Sequence, residues 1–163
     1  MHINTEIQNL LKKIDVYFQS KRMKAYLVGG FVRDILLDRP TNDIDIAADG
    51  ELSSFGRELA DVLDGRYVPL DEENGIARIV VFGNFAAVTQ AQPVKKQGYV
   101  DVSAFRGDIA EDLQKRDFTI DAMAIDLSSF IRNPSCAEII DPSHGRFDIN
   151  EGIIKAVSCN VFK

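Results

Sequence analysis

The run Asp43-Ile44-Asp45-Ile46 admits few folds. Strict alternation of charged and apolar residues has the two-residue period of a β-strand, so both isoleucines enter a core and both carboxylates share the opposite face. Two carboxylates held side by side repel each other unless something positive sits between them, and a hard divalent cation with oxygen ligands is the usual partner. Upstream, Ala25 to Val28 is an apolar run of strand length. Gly29 and Gly30 follow it, and Phe31, Val32, Ile35 and Leu36 then recur at helical spacing within Phe31 to Leu37. The glycine pair therefore falls at a strand-to-helix turn. There the missing side chains let a phosphate approach the backbone, and the first helical amides point toward it. Arg39, Pro40, Thr41 and Asn42 form the turn that leads back to the aspartates. A lone glycine pair is most often only a turn, and a lone Asp-x-Asp a solvated strand end. Their ordered combination in one short segment points to chemistry on a nucleoside triphosphate.

The rest of the chain bounds what such a site can serve. With 163 residues, 45% of them hydrophobic, one domain with a real core is expected. A net charge of −6 argues against a surface that grips nucleic acid everywhere, because neutralising phosphates needs clustered Lys and Arg. The basic residues nearest the aspartates in pattern, Lys95, Lys96, Arg106, Lys115 and Arg116, are interleaved with Asp101, Asp108, Glu111 and Asp112. Only folding can gather them into a patch. Cys136 and Cys159 are too few and too far apart for a zinc framework, and no disulfide is expected. No apolar run approaches membrane-spanning length and no signal peptide is evident, so a cytoplasmic protein without a membrane partner is expected.

In chain order, Thr5-x-x-Gln8 has the form of a capping box, followed by Ile7, Leu10, Leu11, Ile14, Tyr17 and Phe18 along a packing helix. Leu52, Phe55, Leu59, Val62 and Leu63 mark a second amphipathic helix, with Asp49 and Gly50 as its expected caps. Tyr67 to Leu70 and Ile76 to Phe82 read as strands of a hairpin. The pattern dissolves between Gly83 and Gly98, which is expected to be mostly a mobile loop. Tyr99 to Ser103 resumes strand alternation with Asp101 opposite Val100 and Val102, so Asp101 is either a third site carboxylate or an ordinary exposed strand residue. Ile109 to Arg116 has helical character, the segment near Asp141 to Asp148 reads as a turn into a short helix, and Ile153 to Val157 as a last strand. His144 has no Cys or His nearby and is expected to be solvated.

The segment LVGGFVRDILLDRPTNDIDIA, the later KRDFTIDAMAID and, more loosely, IIDPSHGRFDINEGIIKAV resemble the tRNA nucleotidyltransferase and bacterial poly(A) polymerase family. That family includes the CCA-adding enzymes of the eubacterial and eukaryotic class, within the DNA polymerase β-like superfamily. The resemblance implies a mixed α/β (α+β) fold, a sheet flanked by helices, forming the catalytic head over residues 1–163. The family's neck, body and tail regions, which choose the base and hold the tRNA, are expected to lie outside this sequence.

The resemblance also implies roles. Asp43 and Asp45, with Asp101 as third carboxylate, would hold two Mg²⁺ ions. Gly29 and Gly30 would admit the triphosphate of ATP or CTP. Arg33 would pair with a phosphate or a carboxylate, with Asp34 structural. Arg116 and Asp117 match the family pair that holds the nucleotide and shapes the cleft, and the forked guanidinium of Arg116 suits phosphate oxygens. Asp121 stands where the family usually has Asn, so it can accept from a sugar hydroxyl but cannot donate. The implied reaction adds CMP or AMP to the 3′ end of tRNA or another RNA. Poly(A) addition shares this head. A binding module that has lost turnover is disfavoured by the intact Asp43 and Asp45, and a stand-alone small nucleotidyltransferase by the two later motifs.

Overall fold

The computed structural model describes residues 3, 5–41, 43–83 and 96–159. The first helix, α1 (Thr5–Ser20), buries Ile7, Leu10, Leu11, Ile14, Tyr17 and Phe18 along one stripe, the face its spacing predicts. The capping box does not form as expected: Thr5 lies inside the helix, and Gln8 donates its side-chain amide to the Ile3 carbonyl at 3.2 Å. Strand β1 (Ala25–Val28) then runs directly into helix α2 (Gly29–Leu36). After it come β2 (Asp43–Asp49), α3 (Leu52–Val62) and the hairpin of β3 (Arg66–Asp71) and β4 (Ile76–Gly83). The chain continues through β5 (Lys96–Phe105), α4 (Ile109–Leu113), a 3₁₀ turn at Thr119–Asp121 and β6 (Ala124–Asp126). Helix α5 (Leu127–Arg132), strand β7 (Ile139–Ile140) and helix α6 (Gly145–Glu151) complete it.

All seven of these strands join one sheet in the order β3-β4-β5-β2-β1-β6-β7. Only the β2–β5 pair is parallel, so the sheet is mixed, as expected. The alternation predicted for β2 holds: Ile44 and Ile46 are each 1% exposed. They join Val100 and Val102 of β5 and Ala77, Ile79 and Val81 of β4 in the main core beneath α1 and α3. Phe18 of α1 meets Phe55 of α3 edge-on, with ring centroids 5.6 Å apart, which locks the two helices over this face.

The opposite face is covered only in part. Val28, Ala47, Phe105, Ile109, Leu113, Ala122 and Ala124 form a second, smaller cluster where α4 and the 3₁₀ turn pack on β1, β2 and β6. Beyond that cover the same face carries Asp43, Asp45 and Asp101 by strand parity.

Several expectations need correction. Neither Asp49 nor Gly50 caps α3; Glu51 is its N-cap, without a side-chain bond, and Val62 is 43% exposed rather than core. Helix α4 stops at Leu113, short of Arg116, because the chain turns there through Lys115 N–H to Asp112 and Arg116 N–H to Leu113. Ile153 to Val157 is not a strand; only Ala156 makes an isolated bridge, to Phe118. Residues 84–95 of the expected loop lie outside the described residues, and its two ends are strand, with Gly83 paired to Lys96. Cys136 and Cys159 are free and exposed, and His144 is exposed.

Candidate active site

The β1–α2 junction builds the first wall of the site. Gly29 has φ +62, a left-handed conformation that side chains resist. A Cβ there would lie 3.2 Å from Arg116 Nη1 and 3.2 Å from Asp45 Oδ2. The glycine turn thus meets a guanidinium and a carboxylate so closely that a side chain there would have to displace them by a few tenths of an ångström. One expectation shifts in detail: the first-turn amide of Phe31 is given not outward but to Asp45 Oδ2, at 3.3 Å. Asp45 therefore sits at the positive end of α2 from a neighbouring strand.

That contact offsets a costly placement. Burial pushes the Asp45 carboxyl above its ordinary range; the Phe31 amide opposes this, the charge of Asp101 adds to it, Arg116 opposes it, and Asp43 adds further. Asp45 and Asp101 are register partners on the parallel strands β2 and β5, and Asp43 lies one step along the same face, beside Tyr99. Asp43 is exposed.

Asp101 has its own partner, which sequence reasoning missed. Arg78, its register partner on the other side in β4, donates Nε and Nη2 to the two carboxylate oxygens, each at 2.7 Å. Its guanidinium carbon lies 4.7 Å from the centre of the Tyr99 ring. These bonds to Asp101 hold the guanidinium pKa above its ordinary value. Arg78 stands between buried Ala77 and Ile79, so its alternation was legible; its pairing with Asp101 required the register of β4 against β5.

Arg33 and Asp121 form the second charged unit. Arg33 Nη1 lies 2.5 Å from Asp121 Oδ1, and Arg33 Nε lies 3.0 Å from Asp34 Oδ1. Burial would lower the Arg33 pKa, but the bond to Asp34 and the charge of Asp121 outweigh it. Arg33 is thus paired with the carboxylates of Asp121 and of its neighbour Asp34. Arg116 is less satisfied: Nη2 is 3.8 Å from Asp112 Oδ2, and buried Nε has no hydrogen-bond partner among the described residues. A buried charged donor left unpaired costs more than about 1–3 kcal/mol, so this position favours an anionic ligand.

A cleft of about 990 Å³ is bordered by Gly29, Gly30, Asp45, Asp101, Arg116 and Asp121. Asp43, Arg33 and Asp117 are not among its lining residues; Asp43 and Asp117 are exposed, and the Asp117 carbonyl accepts from Val157 N–H at 3.0 Å. Arg106 and Lys115 also reach the cleft, but Arg106 pairs with Glu51, and Glu72, Glu73 and Asp112 face the same space. No cationic track for a nucleic acid arises from these lining residues. Asp43 and Asp45 offer oxygen donors on one face of β2, a donor type that fits a hard divalent cation. Among the described residues, however, no three carboxylate, His or Cys side chains gather into a ligand set. Nor is any helix of the described residues long and apolar enough to cross a membrane.

The sheet and the aspartate row define a head of the DNA polymerase β-like nucleotidyltransferase fold. Residues 25–155 match the poly(A) polymerase head domain model, and the chain belongs to that family. It is 40% identical over 138 residues to the CC-adding tRNA nucleotidyltransferase of Geobacter sulfurreducens, covering 85% of this chain and 28% of the relative. It is 34% identical over 156 residues to the A-adding tRNA nucleotidyltransferase of Halalkalibacterium halodurans, covering 94% and 35%. The Thermotoga maritima CCA-adding enzyme, solved in complex with tRNA, superposes with a TM-score of 0.75 at 32% identity, covering 98% of this chain and 35% of that one. The chain thus spans about a third of the length of the relatives it matches.

Proposed function

We propose that this chain is the catalytic head of a tRNA nucleotidyltransferase, transferring CMP or AMP from CTP or ATP to an RNA 3′ end. The observation that carries this reading is the convergence of Gly29, Arg116 and Asp45 on one cleft wall, where a Cβ added at Gly29 would lie 3.2 Å from both side chains. It brings a phosphate-accessible backbone, an unsatisfied cation and a buried carboxylate to one point. Membership of the family and the tRNA-directed names of the relatives support the substrate class.

In the reaction, the 3′-hydroxyl oxygen of the RNA bonds to the α-phosphorus of the triphosphate, the α–β bridging bond breaks, and pyrophosphate departs. Two Mg²⁺ ions, held by Asp43 and Asp45 with Asp101 beside them, would supply activation of the hydroxyl and neutralisation of the leaving group. The chain's own contribution is positioning and charge. Gly29 and Gly30 let the triphosphate lie against the backbone. Arg116 gives its unpaired Nε–H and its Nη groups to phosphate oxygens, and Asp121, steadied by Arg33, accepts from a sugar hydroxyl.

Because the cleft is lined more by carboxylates than by cations, tRNA must be held chiefly by surfaces beyond it. The test is incubation of the protein in its full natural length with tRNA lacking its terminal CCA, Mg²⁺ and each labelled triphosphate in turn. Extension by C, by A or by both is expected. Failure to extend with any nucleotide would sink the reading, and a long A tract would shift it to poly(A) addition.

A further inference from the structure

Across the sheet, one row of directly opposed residues reads Asp45 on β2, Asp101 on β5 and Arg78 on β4. Asp101 is flanked by a carboxylate on one side and a guanidinium on the other, each about 5 Å away at backbone level. Its carboxylate is committed to the guanidinium, with both oxygens bonded at 2.7 Å. Among the described residues, Asp101 does not gather with Asp43 and Asp45 into a ligand set.

We infer that Arg78 is a positioning residue that competes with the divalent cation for Asp101, so that the third carboxylate joins the site only when the ion draws it from the fork. The inference rests on the reading of Asp43 and Asp45 as the cation site. Three observations carry it. The fork is bidentate, the strongest form of Arg–carboxylate contact, so Asp101 is not idle in the free protein. The guanidinium also lies on the Tyr99 ring, so it keeps a resting place after Asp101 turns away. The pair is partly exposed, 38% for the Arg78 side chain and 28% for Asp101, so exchange does not require the core to open. The row therefore stays balanced without metal: the Asp101 charge, which otherwise burdens Asp45, is partly neutralised until a cation arrives.

The test uses Mn²⁺ as the probe, its binding followed by electron paramagnetic resonance on the intact 163-residue chain, with circular dichroism and melting to confirm folding. Arg78→Gln removes the competing charge and should tighten Mn²⁺ binding by about tenfold, the scale of one unit charge at this range. Arg78→Lys keeps the charge but not the fork and should fall between the unmodified chain and Arg78→Gln. In an Asp101→Asn background, Arg78→Gln should have little further effect, because the competition runs through Asp101. Unchanged Mn²⁺ affinity in folded Arg78→Gln, or an equal gain with and without Asp101, overturns the inference. Asp45→Asn is the separating control. If the unmodified chain binds Mn²⁺ and Asp45→Asn abolishes it while Arg78→Gln is silent, only the Arg78 inference fails. If the chain binds no Mn²⁺, or Asp45→Asn leaves binding intact, the cation-site reading fails and the inference with it.

Discussion

Asp45 and Asp101 stand side by side on the parallel strands β2 and β5, in register and on one face of the sheet. Their repulsion adds to burial in raising the Asp45 carboxyl, so the arrangement lowers stability in the free protein. Placing like charges where they cost stability marks a site kept for its chemistry.

Removing either carboxylate of the proposed cation site should therefore separate function from folding. Asp43→Ala and Asp45→Ala are each expected to lower nucleotide transfer by the full-length enzyme by at least about 10³-fold, the scale of losing a central electrostatic group. Asp45→Asn should keep or raise the urea midpoint at neutral pH, since it relieves the repulsion while losing the bond from Phe31. Near-normal turnover in either alanine variant would show that these carboxylates do not hold the catalytic ions.

The two glycines should respond differently. At Gly29 a methyl group meets both the left-handed backbone and the 3.2 Å contacts, so Gly29→Ala is expected to cost at least about 1–2 kcal/mol and to abolish triphosphate binding. Gly30 has an ordinary backbone inside a helix, and the nearest atom to a Cβ added there, at 3.3 Å, is Arg33 Nη2, a side-chain atom rather than backbone. Gly30→Ala should leave stability unchanged or improve it by up to about 1 kcal/mol, while weakening triphosphate binding. Urea titration and calorimetry with ATP distinguish the two; equal destabilisation would remove the special role of Gly29.

How far this site was legible in the sequence follows from the range of each signal. The strand at Asp43 to Ile46, the strand at Ala25 to Val28 and the packing stripe of α1 are local patterns of period two or 3.6, and each appears where its period placed it. The Arg78–Asp101 fork spans 23 residues and depends on the β4–β5 register, which no local pattern encodes. Short elements were missed for another reason. β6 and β7 have three and two residues, too few to display a period, and the buried run Ala122 to Ile125 fits helix and strand alike. The final strand was misplaced because Ile153 and Ile154 suggest a core edge, yet they are 44% and 74% exposed.

Asp121 offers a charge test inside the cleft. Asp121→Asn restores the residue usual in the family and removes one negative charge from the wall that faces the triphosphate. Both members of the Arg33–Asp121 pair are about 30% exposed, so the loss in stability should not exceed about 1 kcal/mol. Affinity for ATP and CTP should rise severalfold in low salt, and the gain should shrink as salt is added. A fall in affinity would mean that the carboxylate itself is the better acceptor for the nucleotide.

Tyr17 predicts the alkaline limb of stability. Its hydroxyl donates to the Phe55 carbonyl at 3.3 Å and to Glu58 at 3.2 Å, and the residue is 5% exposed. Burial, then the charge of Glu58 and their hydrogen bond, push its pKa up to about 12 from the ordinary 10.0. The folded protein thus holds the proton more tightly than the unfolded chain. This contribution is complete below pH 10 and is lost as pH rises toward 12, amounting to roughly 2–3 kcal/mol. Tyr17→Phe should cost about 1 kcal/mol at pH 8 yet flatten the decline measured by urea titration between pH 9 and 11.5. An unchanged slope would show that Tyr17 does not govern it.

The last prediction concerns support from behind the cleft. Helix α6 packs on the 3₁₀ turn that carries Asp121, and the contact is a buried one: the Thr119 hydroxyl donates to Asp148 Oδ2 at 2.6 Å, with the residues 2% and 5% exposed. Asp141 secures the start of α6 by accepting from Gly145 N–H at 2.7 Å and Arg146 N–H at 3.0 Å. At Gly145 the two backbones nearly touch, and a Cβ would lie 2.1 Å from the Thr119 carbonyl oxygen. No rotamer change relieves a clash between main-chain atoms, so Gly145→Ala must push α6 and the 3₁₀ turn apart. Asp148→Ala leaves the Thr119 hydroxyl buried without its acceptor and is expected to cost about 1–3 kcal/mol. Gly145→Ala should cost more than Asp148→Ala and should also weaken ATP binding, because the displaced turn carries Asp121 away from Arg33. Urea titration and calorimetry on both variants read the two effects. If Gly145→Ala unfolds no more readily than the unmodified chain, α6 does not support the cleft in this way.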